Sequence, residues 1–277
     1  MRKSFHILLL ILVVVSLGSC SMERRLAAKY IKETKPGAIL LLAPELVYKS
    51  SFKVPPMDDF KSLPQDVKDS ITYFNSDLVQ YCDDSIYISE FMESLNRGLD
   101  YFGYDVYYNQ PADKFLNSGN ETSLIINLAQ IQLEEYIEVI KEQIAFDPDS
   151  TNVAAIYLTA INFNNWIELT RLNHVKSEPE LLFSTQTITD DLNGNFRYYP
   201  LTSTFDYEYT IDSLTVNNLY STAAELGFKH SQWIFDYIMN EYVKLNLPPK
   251  HKQEKFFTYD FRNKELKRLR WQPFTRL

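Results

Sequence analysis

Apolar side chains recur at every second position through the middle of this chain, and two such stretches constrain its fold class more than any other feature. Leu124, Ile126 and Leu128, then Ile131 and Leu133, alternate along one stretch; Val153, Ala155, Tyr157, Thr159, Ile161 and Phe163 alternate along another. A period of two sends successive side chains to opposite faces, so each stretch is a β-strand with one face on a core, and the two read as partners. Residues 134–146 between them fit two patterns: Tyr136, Ile137, Ile140 and Ile144 follow a helical period, while Ile137 and Val139 extend the alternation. We take them as strand, turning at Asp147-Pro148-Asp149.

The flanking segments supply helices and further strands. Ala38–Ala43 is an apolar run stopped by Pro44, a buried strand; 49–70, with Pro55, Pro56 and Pro64, is a long loop holding a short helix near Asp66–Phe74. Ile88, Phe91, Met92, Leu95, Leu99 and Phe102 recur at three and four, a helix capped by Ser89 and ended by Gly103, with strand Asp105–Tyr108 after it. Leu182–Thr189 and Phe196–Tyr199 read as a hairpin turning at Asn193-Gly194, and Phe205, Tyr207, Tyr209 and Ile211 as a strand with one wet face. A long helix, Val216–Leu245, starts at Asp212 or Ser213 and ends at Pro248-Pro249, with Gly227 marking close approach of another element. The expected fold is α+β: a mixed, largely antiparallel sheet packed by two main helices as a layer sandwich, its strand order open. Seven glycines in 277 residues, one of them in the N-terminal apolar run, argue against glycine-rich phosphate loops and propellers.

Arg2 and Lys3 precede the apolar run Phe5–Val15, which is too short to span a bilayer as a helix and has the form of a secretory signal. It ends in Leu17-Gly18-Ser19-Cys20, which resembles the lipobox of bacterial lipoproteins. The resemblance implies cleavage before Cys20 and its modification with diacylglycerol and an amide-linked, palmitate-type acyl chain. Ser21, rather than Asp, implies outer-membrane sorting, and Met22-Glu23-Arg24-Arg25 lacks an acidic surface-export run, which favours the periplasmic face. The order of elements on such a chain resembles periplasmic envelope-machine lipoproteins of the curli-secretion and lipopolysaccharide-transport type, at element level only. The expected organisation is signal peptide 1–19, lipidated tether 20–36, one α+β domain 37–249 and a basic aromatic tail 250–277.

No catalytic constellation emerges. His174, His230 and His251 lack metal-site spacing, and Gly-x-Ser-x-Gly and Gly-x-Gly-x-x-Gly are absent. With Cys20 lipidated, Cys82 has no intramolecular partner, and beside Asp83 and Asp84 it reads as an inert thiol. The paired acids Asp58-Asp59, Asp83-Asp84, Glu134-Glu135 and Asp190-Asp191 are poor cooperating carboxylates, because strand neighbours face opposite ways. Asp191–Asn195 lacks the glycine position and distal Glu of a calcium loop. Asp-Ser-apolar triplets at Ser70, Ser85 and Ser213 match an O-glycosylation acceptor of some Gram-negative bacteria, or serve as turns and caps. We expect no metal and no cofactor beyond the lipid on Cys20.

Charge is uneven: residues 250–277 carry nine Lys/Arg against three Asp/Glu, a net +6, whereas 20–249 carry a net −16. Lys264, Lys267, Arg268 and Arg270, with Trp271 and Phe274 as anchors, are the candidate partner-binding set; docking of the tail on its own acidic body is the alternative. The expected function is a non-enzymatic outer-membrane lipoprotein, an accessory or scaffold subunit in envelope assembly or transport. It would contact the membrane through lipid and join an envelope protein complex, with no nucleic acid and any small-molecule ligand left open. A lipid-anchored ligand- or glycan-binding module is the alternative.

Overall fold

The computed structural model describes residues 22–33, 37–53, 62–74, 76–118, 123–147, 150–172, 178–199, 201–202, 204–270 and 272–277. The signal segment, Cys20, His174 and Trp271 lie outside them. In chain order the elements are α1 (Met22–Glu33), β1 (Ala38–Leu42), β2 (Tyr48–Ser51), α2 (Gln65–Phe74), α3 (Asp84–Tyr101), β3 (Asp105–Tyr107), α4 (Ala112–Leu116), β4 (Leu124–Asp147), β5 (Ser150–Arg171), β6 (Glu180–Thr189), β7 (Asp191–Tyr199), β8 (Thr204–Asp212), α5 (Val216–Asn246), β9 (Phe256–Asp260), β10 (Glu265–Leu269) and β11 (Thr275–Arg276).

The fold is α+β, with a seven-stranded mixed sheet ordered β11-β6-β5-β4-β1-β3 and β2 pairing a further part of β4. The parallel pairs β1–β3, β1–β4 and β2–β4 are short, whereas β4–β5 runs antiparallel from Leu124↔Arg171 to Asp147↔Ser150. The stretch 134–146 is therefore strand: its alternation is satisfied by pairing along the whole of β5. β1, with Ala38, Ile39 and Leu41 buried, is apolar on both faces as a parallel strand between two neighbours must be.

Helices α3 and α5 cross face to face over the sheet, burying Phe91, Met92, Leu95 and Leu99 against Leu219, Leu226, Ile234 and Met239. Gly227 marks a close approach between them, as its position in the helix suggested. A Cβ there would stand 2.2 Å from the Phe91 carbonyl oxygen and 3.0 Å from the Leu95 nitrogen. The caps differ from expectation. Helix α3 starts a turn before Ser89, where the Asp83 carboxylate accepts from the Ser85 and Ile86 amides; α5 starts at Thr215, whose N–H donates to Asn218 Oδ1 at 2.8 Å. Leu247 is extended, as the residue before Pro248 must be.

Both chain ends depart from the sequence reading. Residues 22–33 of the expected tether form a helix packed on α5: Ala27 is fully buried, Tyr30 meets Phe235 and Tyr242 at 5.9 and 5.3 Å, and Glu23 accepts from the Glu254 and Lys255 amides. The apolar stripe consists of few residues in a highly charged segment, so composition hid it. The tail does not project either. β9 and β10 form a hairpin, β11 pairs with β6 (Thr275↔Phe183), and Phe257 and Phe274 are buried.

Candidate functional site

The C-terminal hairpin is clamped by two polar residues one turn apart on α5. Asp236 accepts from the Tyr259 amide (3.0 Å), Gln232 (3.1 Å) and the Thr258 hydroxyl (2.6 Å); Asn240 donates to the Phe257 carbonyl (2.7 Å) and accepts from its amide (2.9 Å). This divides the expected partner-binding set. Phe274 is an internal anchor among His230, Trp233 and Tyr237, and Lys267 is paired with Asp260 at 2.7 Å. Lys264, Arg268 and Arg270 remain exposed. Phe257, inside the hairpin, and Phe274, in the segment after it, are buried in the protein's own core.

His230 sits near that anchor, fully buried between Phe91, Trp233 and Phe274, with Nε2 2.7 Å from Ser184 Oγ and Nδ1 2.7 Å from the Leu226 carbonyl. Nδ1 must donate to the carbonyl, so Nε2 accepts from the serine. The pair has the hydrogen bond of a nucleophile and its base, but both residues are sealed in the core, and it reads as a satisfied core histidine. Spacing could not reveal it, since the sheet and α5 bring 184 and 230 together.

Burial lowers the His230 pKa to about 4 and raises that of Asp236 to about 6. The linkage signs oppose. The His230 contribution is complete above the unfolded value near 6.5 and fades as pH falls towards 4; the Asp236 contribution is complete below its unfolded value near 3.8 and fades as pH rises towards 6. Each amounts to roughly 3 kcal/mol, so the two largely cancel between pH 4 and 6.5. Asp236→Asn should unmask the histidine. Relative to wild type, the variant should gain stability at pH 7 and lose that gain on acidification to pH 4, measured by urea denaturation across the range. A pH-independent difference would refute the assignment.

A second polar node lies where two β-ribbons leave the body. Past its last pairing with β6, at Ala160↔Thr189, the β4–β5 pair continues as a two-stranded ribbon, and β7–β8 forms another. Asp190, buried between β6 and β7, accepts from the Thr159 amide at 2.6 Å and the Leu214 amide at 2.7 Å, fastening both ends of the β7–β8 ribbon to β5. On the helix side, fully buried Glu135 meets Lys53 at 2.8 Å and accepts from the Ser76 hydroxyl (2.5 Å) and the amides of Asp77, Leu78 and Val79. Lys53 also reaches Asp77 and Thr159. Burial alone would push the Glu135 carboxyl up; the Lys53 ammonium and the four donors outweigh it and hold the pKa below the usual carboxylate range. The expected division of the acid pairs holds here: Glu135 is buried while Glu134 bonds Gln132 and Asn162 on the other face.

The β7–β8 register corrects the expected hairpin. Asn193 and Gly194 are strand residues opposite Thr210 and Tyr209, and β7 runs on to Tyr199 before β8 starts at Thr204. Local turn preference yields to alternation, which continues through Asn193-Gly194 and stops near Pro200, a residue that cannot donate to a ladder. Leu192, Gly194, Phe196 and Tyr198 stand in register with Ile211, Tyr209, Tyr207 and Phe205; Asp191, Asn193, Asn195, Arg197 and Tyr199 stand in register with Asp212, Thr210, Glu208, Asp206 and Thr204. Along β8, with a period of two, the exposed Tyr209 and Ile211 share one face and Glu208, Thr210 and Asp212 the other. Residues 208–212 are all exposed, so Tyr209 and Ile211 lie uncovered. The β4–β5 ribbon likewise exposes Ile137, Val139 and Tyr157.

The remaining candidates are dispersed. Ser70 is exposed on α2, Ser85 donates its hydroxyl to Asp83 at the start of α3, and Ser213 is exposed in the link between β8 and α5. Burial pushes the Cys82 thiol up to about 11, as an inert buried thiol requires. Among the described residues no group of three or more His, Cys, Asp or Glu converges as a metal site, and no helix is long and apolar enough to cross a membrane.

No protein-family model and no curated protein matches the chain. Among solved structures it is similar to a neuraminyllactose-binding hemagglutinin homolog from Helicobacter pylori, at 10% identity over 77% of this chain and 92% of that one; the TM-score of 0.29 is too low to carry a functional argument.

Proposed function

We propose that this protein is a non-catalytic, lipid-anchored envelope protein that works by assembly, placing its β7–β8 ribbon in a membrane-embedded interface between copies. The observation that carries this reading is a two-stranded ribbon off the main sheet on which Tyr209 and Ile211 lie exposed on one face, alternating with Glu208, Thr210 and Asp212 on the other. Each strand has nine residues. Nine residues rise about 30 Å, and at a tilt of about 40° they cover roughly 23 Å, close to the ~25 Å apolar band of outer-membrane barrels. In hydrocarbon the free edges of a two-stranded sheet must find partners, which favours several copies pairing edge to edge. The lipid on Cys20 would hold the chain at the bilayer first.

The two ends of the ribbon are adjacent at Asp190 and Leu214, so 191–212 can be replaced by a short Gly-Ser turn without parting the body. The excised variant should fold, remain lipidated and fractionate with membranes, but run as a monomer where the wild type runs as an oligomer. Cys20→Ala should reduce membrane recovery of either form. In native membranes trypsin should spare Arg197, within the ribbon, and cut there once detergent dissolves the bilayer. An unchanged oligomer after excision, or equal cleavage with and without detergent, would overturn the reading.

A further inference from the structure

A groove of about 810 Å³ runs between the C-terminal turns of α3, the middle of α5 and the β9–β10 turn. Its floor is aromatic and continuous with the core: Phe102 lies 4.4 Å from Phe261, which lies 4.8 Å from Phe235. Its walls are Tyr101 and Phe228, 59% and 47% exposed, inclined to Phe261 and Phe102 at 56° and 48°. Two guanidinium groups stand at the rim. Arg97 and Arg262 are exposed, and neither has an ion-pair or hydrogen-bond partner among the described residues. The other rim charges, Lys267 and Asp260, neutralise each other at 2.7 Å.

We propose that this groove docks an acidic peptide segment of a partner protein, with one aromatic or aliphatic side chain against Tyr101 and Phe228 and flanking carboxylates on Arg97 and Arg262. Charge complementarity selects the sign: with Lys267 and Asp260 paired to each other, Arg97 and Arg262 are the uncompensated charges of the lining, and Arg262 belongs to the 250–277 segment of net +6. Arginine forks suit carboxylates, and exposed aromatic walls beside arginine have the composition of interface hot spots. The mutual tilt of the rings makes a trough for a side chain rather than a flat platform for a sugar. Polar groups that would serve sugar hydroxyls are already engaged: Thr258 donates to Asp236, and Gln232 to Asp236 and the Tyr259 carbonyl. A concave site with its apolar surface at the bottom is also ill shaped for a planar bilayer.

The inference does not depend on the ribbon reading, because excision of 191–212 leaves the groove untouched. The test is selection of a random heptapeptide library on the full-length protein in detergent, followed by fluorescence anisotropy of the best fluorescein-labelled peptide. Selected sequences should pair two acidic residues with an aromatic or aliphatic one. The double variant Arg97→Gln/Arg262→Gln should weaken binding by at least ~10-fold without changing the melt, since both side chains are exposed. Tyr101→Ser/Phe228→Ser should do the same at unchanged salt dependence. Enrichment of neutral or basic peptides, no enrichment over the arginine double variant, or arginine-dependent binding of phosphatidylglycerol vesicles in place of peptide would overturn the proposal.

Discussion

Gly227→Ala is expected to lower the unfolding free energy by about 4 kcal/mol, above the usual range for a single added methyl because the obstacle is main chain. The new Cβ would stand 2.2 Å from the Phe91 carbonyl oxygen and 3.0 Å from the Leu95 amide nitrogen, and neither can rotate away. Relief requires α3 and α5 to separate by about an ångström, and each buried contact across the crossing then forfeits a quarter to a half of its dispersion well. The better helix propensity of alanine returns only about 1 kcal/mol. Gly98 offers the internal control. A Cβ there would meet Ser231 Oγ at 2.0 Å and Ser231 Cβ at 2.7 Å, which are side-chain atoms. Gly98→Ala should therefore be rescued by Ser231→Gly, whereas no partner substitution should rescue Gly227→Ala. Equilibrium denaturation of the four variants decides the matter, and a Gly227→Ala protein within 1 kcal/mol of wild type would show that the crossing is looser than described.

Glu135→Ala is expected to cost about 3 to 5 kcal/mol, because it strands a buried ammonium and removes the acceptor of several donors at once. Lys53 would keep only the exposed Asp77 carboxylate and the Thr159 hydroxyl, while the Ser76 hydroxyl and the amides of Asp77, Leu78 and Val79 would lose their acceptor. Lys53→Met/Glu135→Leu should recover much of the loss, since an apolar pair of similar volume leaves no buried charge, although the amides stay unsatisfied. The pH dependence carries a definite sign. The native carboxyl is depressed, so its contribution is complete above the ordinary glutamate range and disappears as pH falls through the native value. Glu135→Ala should thus converge on wild type in acid. A penalty independent of pH would mean that volume rather than charge holds the node together. Because Glu135 lies where β4 leaves the body as a ribbon, the same variant should also raise hydrogen exchange at Phe52 and at Asp77–Val79.

Where periodicity is long, the amino-acid sequence alone determined this protein. The alternation at 124–133 and at 153–163 specified β4 and β5, the three-four repeat from Ile88 specified α3, and Gly227 within an otherwise regular helix specified a close crossing, because each rests on side-chain geometry local to one element. The α+β class followed from their order. Tertiary structure alone decided the rest. The Asn193-Gly194 turn signal lost to a ladder that continues through it, since pairing with β8 outweighs a two-residue preference. The charged segment 22–33 became a packed helix because Ala27 and Tyr30 meet a surface of α5 that exists only after folding, and the basic tail entered the sheet because β6 offered an unpaired edge to Thr275. The Lys53–Glu135 node, the Ser184–His230 pair and the aromatic groove join residues tens to more than a hundred positions apart. Their chemistry depends on distance and burial, quantities that only the packed chain possesses.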